Sequence, residues 1–233
     1  MDLKIMNSLR FVILDLLNRL RDFYGPLAAP PSEAFAVYVW EVLARETTPV
    51  RRDASFAALK RLPALTPDAL ARAPRGKIEA AVAQAGAMKE ERLQALDAGV
   101  DLFRRESGLA EALRGPIPRA MRAARKVPHL GQASSLRLLL FAGSHPLVPL
   151  DEPALRVARR LGYAGGANEP ILPTARVLRA VRRALAVEIG GNLETARTIS
   201  TYFTHHGLTT CTEASPHCAV CPLAADCEWL RHQ

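Results

Sequence analysis

The chain has 233 residues, enough for one domain or two small interlocked ones, and long enough to bury a core without disulfide staples. Hydrophobic residues make up 49% and charged residues 23%, which excludes general disorder. A formal charge of +8 favours a polyanionic partner, nucleic acid first and an anionic membrane surface second.

The pattern is helical throughout, rich in Ala, Leu, Arg and Val, and breakers divide it into short helices. Ile5, Leu9, Val12, Ile13, Leu16, Leu17 and Leu20 recur at helical spacing and predict an amphipathic first helix docked on a core. Lys4, Arg10, Asp15, Arg19, Arg21 and Asp22 leave its apolar runs too short to span a bilayer, and no signal peptide is read. A soluble cytoplasmic monomer with no membrane partner is the expectation. Gly25-Pro26 and Pro30-Pro31 form a linker, and Ser32 is placed to cap a helix running through Ala36, Tyr38, Val39, Val42 and Leu43. Thr47, Thr48 and Pro49 interrupt it; Asp53 is placed to cap a helix at 54–61, and Thr66-Pro67 opens another. A further stretch follows Gly76, and 87–105 reads as one long amphipathic helix. Breaks follow at 115–118, 127–131, 143–149, 162–173 and 190–192.

All four cysteines lie near the C-terminal end: Cys211, Cys218, Cys221 and Cys227, spaced C-x6-C-x2-C-x5-C. Thiols gathered in one short loop and absent elsewhere predict a single metal site rather than a disulfide set. Zinc and an iron–sulfur cluster both accept four thiolates. Structural zinc usually sits between paired C-x2-C knuckles, so the sequential loop tips the balance modestly toward iron–sulfur. Four protein thiolates leave no open position, so the site is structural.

Residues 119–126 and 132–142 read as two helices joined by Val127, Pro128, His129, Leu130 and Gly131. A tight turn before a helix presents backbone N–H groups to a phosphate, and glycine permits close approach. Residues 119–183 hold twelve basic and three acidic residues, a balance of +9 that exceeds the whole chain's. A field so concentrated predicts a nucleic-acid footprint. Asp151 begins a helical stretch after a proline-broken loop, where a carboxylate serves as an N-cap.

The cysteine spacing is that of the iron–sulfur loop of the endonuclease III family of DNA glycosylases and the related adenine-specific enzyme. The stretch "HGLTTCTEASPHCAVCPLAADC" (206–227) resembles that family's C-terminus without a gap. "VPHLGQASSLRLLLFAGSHPLVPLDEPALRVARRLG" (127–162) resembles its hairpin and catalytic segment, and "AVYVWEVLARETTPVRRDASFAAL" (36–59) more weakly its early helix and DNA wedge. The resemblance implies an all-α protein of two interlocked helical lobes, with a helix-hairpin-helix and a C-terminal four-cysteine loop. One lobe is a bundle at 29–135; the other joins 1–28 to 136–233 and holds a 4Fe-4S cluster, zinc being the alternative. The partner implied is double-stranded DNA with a flipped base.

The same resemblance gives roles to residues. Asp151 stands at the position of the catalytic aspartate, whose carboxylate stabilises positive charge on the deoxyribose and orients water. The hairpin Val127–Gly131, with Ser134 behind it, holds the DNA backbone. The family's hairpin usually carries two glycines; here the first is His129. Strand-cleaving members carry a Schiff-base lysine just after the hairpin, and the matching residue is Ala133. No lysine follows Lys126, and arginine stays protonated. The expectation is therefore a monofunctional glycosylase with little or no lyase activity, the alternative being a lesion or abasic-site binder with weak or no catalysis. In the wedge, Arg45, Glu46 and Thr47, Glu46 replaces the glutamine that fills the gap left by a flipped base. A carboxylate there needs Arg45, Arg51 or Arg52 as a partner. The adenine-specific branch usually adds a second C-terminal domain; this sequence ends six residues after Cys227, which counts against that branch.

Overall fold

The computed structural model describes residues 12–164 and 174–233. Every regular element among them is a helix, and the chain divides into two compact units. A central unit spans Ala28–His145; a terminal unit combines the described parts of Met1–Leu27 and Pro146–Gln233.

In the central unit α2 (Ala34–Ala44) is buried along almost its entire length, as a helix apolar on all sides must be. Around it fold α3 (Pro49–Lys60), α4 (Pro67–Arg72), α5 (Arg75–Ala83), α6 (Lys89–Arg105), α7 (Leu109–Arg114), α8 (Ile117–Lys126) and α9 (Gln132–Phe141). Helix α2 packs on α3, α6 and α9. Gly99 of α6 makes room for the Tyr38 ring, into which a Cβ at that position would run. The Tyr38 hydroxyl donates to the Ala95 carbonyl, and its burial raises its pKa well above the ordinary value. The one carboxylate buried in α2, Glu41, is ion-paired with Arg137 of α9 at 2.8 Å. The expected lobe boundary at 135 moves to 145 because α9 runs on to Phe141 and packs against α2.

In the terminal unit α1 (Val12–Tyr24) buries Ile13, Leu16, Leu17 and Leu20 and packs on α12 (Leu193–Thr209). At roughly 2 kcal/mol per buried aliphatic side chain, that stripe is the main source of its docking energy. Ile5 and Leu9 of the expected stripe lie outside the described residues. The unit's most extensive contact joins α12 to α10 (Glu152–Arg160), with α11 (Ala175–Ile189) alongside. Two short 3₁₀ turns, Cys218–Val220 and Ala224–Asp226, lead to α13 (Glu228–Arg231).

Two expected caps and one expected helix start are corrected. Ser32 does not cap α2: Glu33 holds that position without a side-chain hydrogen bond. Asp53 lies inside α3, whose cap is Thr48, accepting from the Arg51 N–H with Pro49 in the first turn. Thr48-Pro49 is thus the same signal as Thr66-Pro67, which does open α4. Gly76 lies within α5, after an N-cap at Pro74. No helix among the described residues is long and apolar enough to cross a membrane.

Candidate nucleic-acid interface and metal centre

The turn between α8 and α9 is built from five residues. Val127 is buried and ends α8 with its N–H on the Ala124 carbonyl. His129 is exposed and adopts φ +59°, the left-handed conformation that glycine takes without steric cost. The backbone therefore keeps a glycine-type turn although the side chain is imidazole. Gly131 is the N-cap of α9, extended at φ −74° and ψ 179°, and offers no side-chain acceptor to the helix's first N–H groups. A Cβ built on Gly131 meets nothing within 4 Å, so the approach to those N–H groups is open. Ala133 and Ser134 follow in the first turn. Lys126 is ion-paired with Glu106 at 3.0 Å.

The loop after α2 is fastened from beneath. Thr47 Oγ1 donates to the Ala85 carbonyl at 2.6 Å. The fully buried Arg92 guanidinium donates to the carbonyls of Arg45 and Ala87, joining the loop to the one preceding α6. Burial lowers the pKa of Arg92. Arg45 and Glu46 are exposed at the tip, and Glu46 is left-handed at φ +44°. Two of the three expected arginine partners of Glu46 are placed elsewhere. Arg52 lies 4.1 Å over the Trp40 ring and pairs with Asp53 at 2.8 Å, and Arg51 packs against Gly86.

In the terminal unit Asp151 is the N-cap of α10. Its Oδ1 accepts from the Ala154 N–H at 3.0 Å and its Oδ2 from the Thr204 hydroxyl of α12 at 2.8 Å. Gly207 permits that approach, because a Cβ there would lie 2.4 Å from the Pro153 carbonyl oxygen. Arg156, buried one turn into α10, donates to the carbonyls of Gly207 and Cys211, each at 2.9 Å. It ties the helix that begins at Asp151 to the start of the cysteine loop.

All four cysteines are free thiols and line one cavity together with Arg160, Thr210 and Trp229. Arg160 Nη1 donates to Cys211 Sγ at 3.3 Å and to the Thr212 carbonyl at 2.8 Å, while its guanidinium lies 4.4 Å over the Trp229 ring. Cys221 Sγ is 3.6 Å from Nε2 of His206, whose Nδ1 is 2.7 Å from the Tyr24 hydroxyl. Burial pushes the Cys221 thiol up to about 11 and raises Cys227 as well, so either would ionise only beside a compensating cation. Burial, reinforced by His205, lowers His206 to about 4. Among the described residues no group of three or more His, Cys, Asp or Glu is placed to hold a metal ion, yet all four thiols share one cavity. Four soft donors around one space suit a cluster with a separate iron for each sulfur. The donor set fits the iron–sulfur group.

The basic stretch divides unexpectedly. Arg137, Arg156, Arg159 and Arg160 are buried, at 9% exposure or less. Arg137 pairs with Glu41 and Arg156 with Glu152, and Arg156 and Arg160 hold carbonyls of the cysteine loop. Arg119, Arg122 and Arg125 on α8 remain exposed beside the turn, as do Arg176, Arg179 and Arg183 on α11. The footprint read from the sequence is smaller than the charge count, since part of that charge is structural. Thr204, Arg92, Arg160, His206 and Tyr24 were missed by sequence reasoning, because each acts on a partner far along the chain.

Helices in this order, ending in a four-cysteine loop, define the fold of the endonuclease III-type DNA glycosylases. Three solved structures share it. The thermostable thymine-DNA glycosylase is 17% identical, with 98% of this chain and 99% of that one covered and a TM-score of 0.73. An endonuclease III trapped as a covalent intermediate with DNA, an estranged-adenine complex, is 18% identical over 94% of this chain and 96% of that one, at 0.66. Endonuclease III in a non-covalent DNA complex is 18% identical over 94% and 95%, at 0.67. No family model matches the sequence, and no curated protein does.

Proposed function

We propose that the protein is a monofunctional DNA-base glycosylase, releasing a damaged or mispaired base from double-stranded DNA with little or no cutting of the strand. The observation that carries this reading is Asp151, held by two donors at a helix N-terminus in a chain of this fold. Departure of the base develops positive charge on the sugar, which a fixed carboxylate stabilises while it orients the incoming water. The target base first leaves the stack. The N–H groups after Gly131 take a backbone phosphate, and the Arg45–Glu46–Thr47 tip takes the space the base vacates. Ala133 carries no amine for a Schiff base, and Lys126 is engaged with Glu106. Cys211, Cys218, Cys221 and Cys227 hold a 4Fe-4S cluster that cross-links the loop 211–227, and no chemical step passes through it. The protein acts as a monomer.

The test is base release from a panel of duplexes, each with one lesion or mismatch, developed with and without alkali. Scission only after alkali supports the reading; scission without alkali overturns the argument from Ala133. A second reading, a lesion or abasic-site binder, is favoured by the alanine at position 133. Binding without release on every duplex would establish it.

A further inference from the structure

The cysteine cavity is contacted by two nitrogen donors that the reading above leaves without a task. Arg160 Nη1 reaches Cys211 Sγ at 3.3 Å, and His206 Nε2 reaches Cys221 Sγ at 3.6 Å. His206 is 1% exposed, so no water competes for its ring. Its other nitrogen meets the Tyr24 hydroxyl at 2.7 Å, and that hydroxyl meets Thr210 Oγ1 at 2.5 Å.

The proton positions follow from the ligand state of Cys221. A ligating cysteine is a thiolate and has no proton to give. A bare ring nitrogen facing it would set lone pair against lone pair, so Nε2 carries the hydrogen. A neutral imidazole then has its lone pair on Nδ1, which obliges the Tyr24 hydroxyl to donate to it. The Tyr24 oxygen in turn accepts from Thr210. One direction satisfies the chain: Thr210 to Tyr24 to His206 to Cys221.

Resting on the reading of the four cysteines as a cluster site, we infer that this relay, with Arg160 on Cys211, raises the cluster's reduction potential. Hydrogen bonds to ligand sulfur withdraw electron density and favour the more reduced, more negative state. The couple is a one-electron one: the electrode supplies the electron, no bond to His206 breaks, and its proton stays on Nε2. Tyr24 ends α1, so the N-terminal helix takes part in setting the potential.

The test is film voltammetry of the loaded protein, with iron and sulfide measured on every sample. His206→Leu removes the donor and is expected to lower the reduction equilibrium constant about tenfold, a shift of about 59 mV to negative potential. His206→Gln, which retains an N–H, is expected to recover part of that shift. Tyr24→Phe releases the tautomer and is expected to move the potential the same way by less. It also serves if His206→Leu fails to load. The deuterium sensitivity of the Fe–S(Cys) stretch should fall in His206→Leu. Full iron with an unchanged potential in both His206→Leu and Tyr24→Phe overturns the inference. Wild-type protein without iron and sulfide overturns the cluster reading instead, and this inference with it.

Discussion

An alanine at position 207 would place its Cβ 2.4 Å from the Pro153 carbonyl oxygen and 2.6 Å from its carbon. Both are backbone atoms and cannot swing aside, so α10 and α12 must part by about 1 Å to reach ordinary contact. Overpacking of this kind costs about 1–3 kcal/mol. The same movement stretches the 2.8 Å Thr204–Asp151 hydrogen bond beyond its useful range, adding about 1 kcal/mol. Alanine returns about 1 kcal/mol through its helix propensity. The net loss is about 2 kcal/mol, or roughly 4–8 °C of melting temperature for a chain of this length. Gly76, also helical, has nothing within 4 Å of a built Cβ, so Gly76→Ala keeps only the propensity gain and should melt about 2 °C higher. Scanning fluorimetry of the two variants gives opposite signs if the packing argument is right. A Gly207→Ala protein as stable as the wild type would refute it.

Asp151→Asn should abolish base release while leaving duplex affinity within about threefold, as gel shift and single-turnover assays would report; equal loss of both would mean a folding role. His129→Gly removes left-handed strain and should raise the melting temperature by about 2 °C, tightening DNA binding alike on every sequence. Arg92→Met removes the bonds to the Arg45 and Ala87 carbonyls that join the loop after α2 to the one before α6, and should cost about 3 kcal/mol, visible as a lowered denaturant midpoint. Half-buried Glu188 has its pKa raised, chiefly by burial, while its Oε2 accepts from the Ile13 N–H at 3.0 Å. The folded protein thus holds that proton more tightly than the unfolded one. Its contribution is fully present below the unfolded carboxylate range and is lost as pH rises through the raised value. Glu188→Gln should therefore stabilise at neutral pH and be indistinguishable from wild type in acid, in melts taken across that window.

What was legible in the sequence was local. The spacing Cys211-Cys218-Cys221-Cys227 and the turn Val127–Gly131 lie within single short segments, and composition alone announced the helices. Thr48-Pro49 was misread because the same two residues that open α3 also end the pattern before it. The charge between 119 and 183 was counted correctly but not located, since a linear count cannot distinguish exposed Arg122 from Arg160 lying over Trp229. Arg92 looked like one more polar residue on an amphipathic helix, and nothing nearby in sequence announced that it would be fully buried on carbonyls 5 and 47 positions away. The Tyr24–His206 contact spans 182 residues and has no local signature at all.

The terminal unit is assembled from both ends of the chain. Arg19 binds Asp226 across a separation of 207 residues, and the apolar stripe of α1 buries on α12. On the ribosome, Ala28–His145 can therefore close while α1 still waits, its leucines uncovered, for a partner more than 160 residues downstream. The long interval before those ends meet makes the unit that carries the cysteines the last to form. Nascent chains should be most exposed to chaperone capture and to proteolysis at α1.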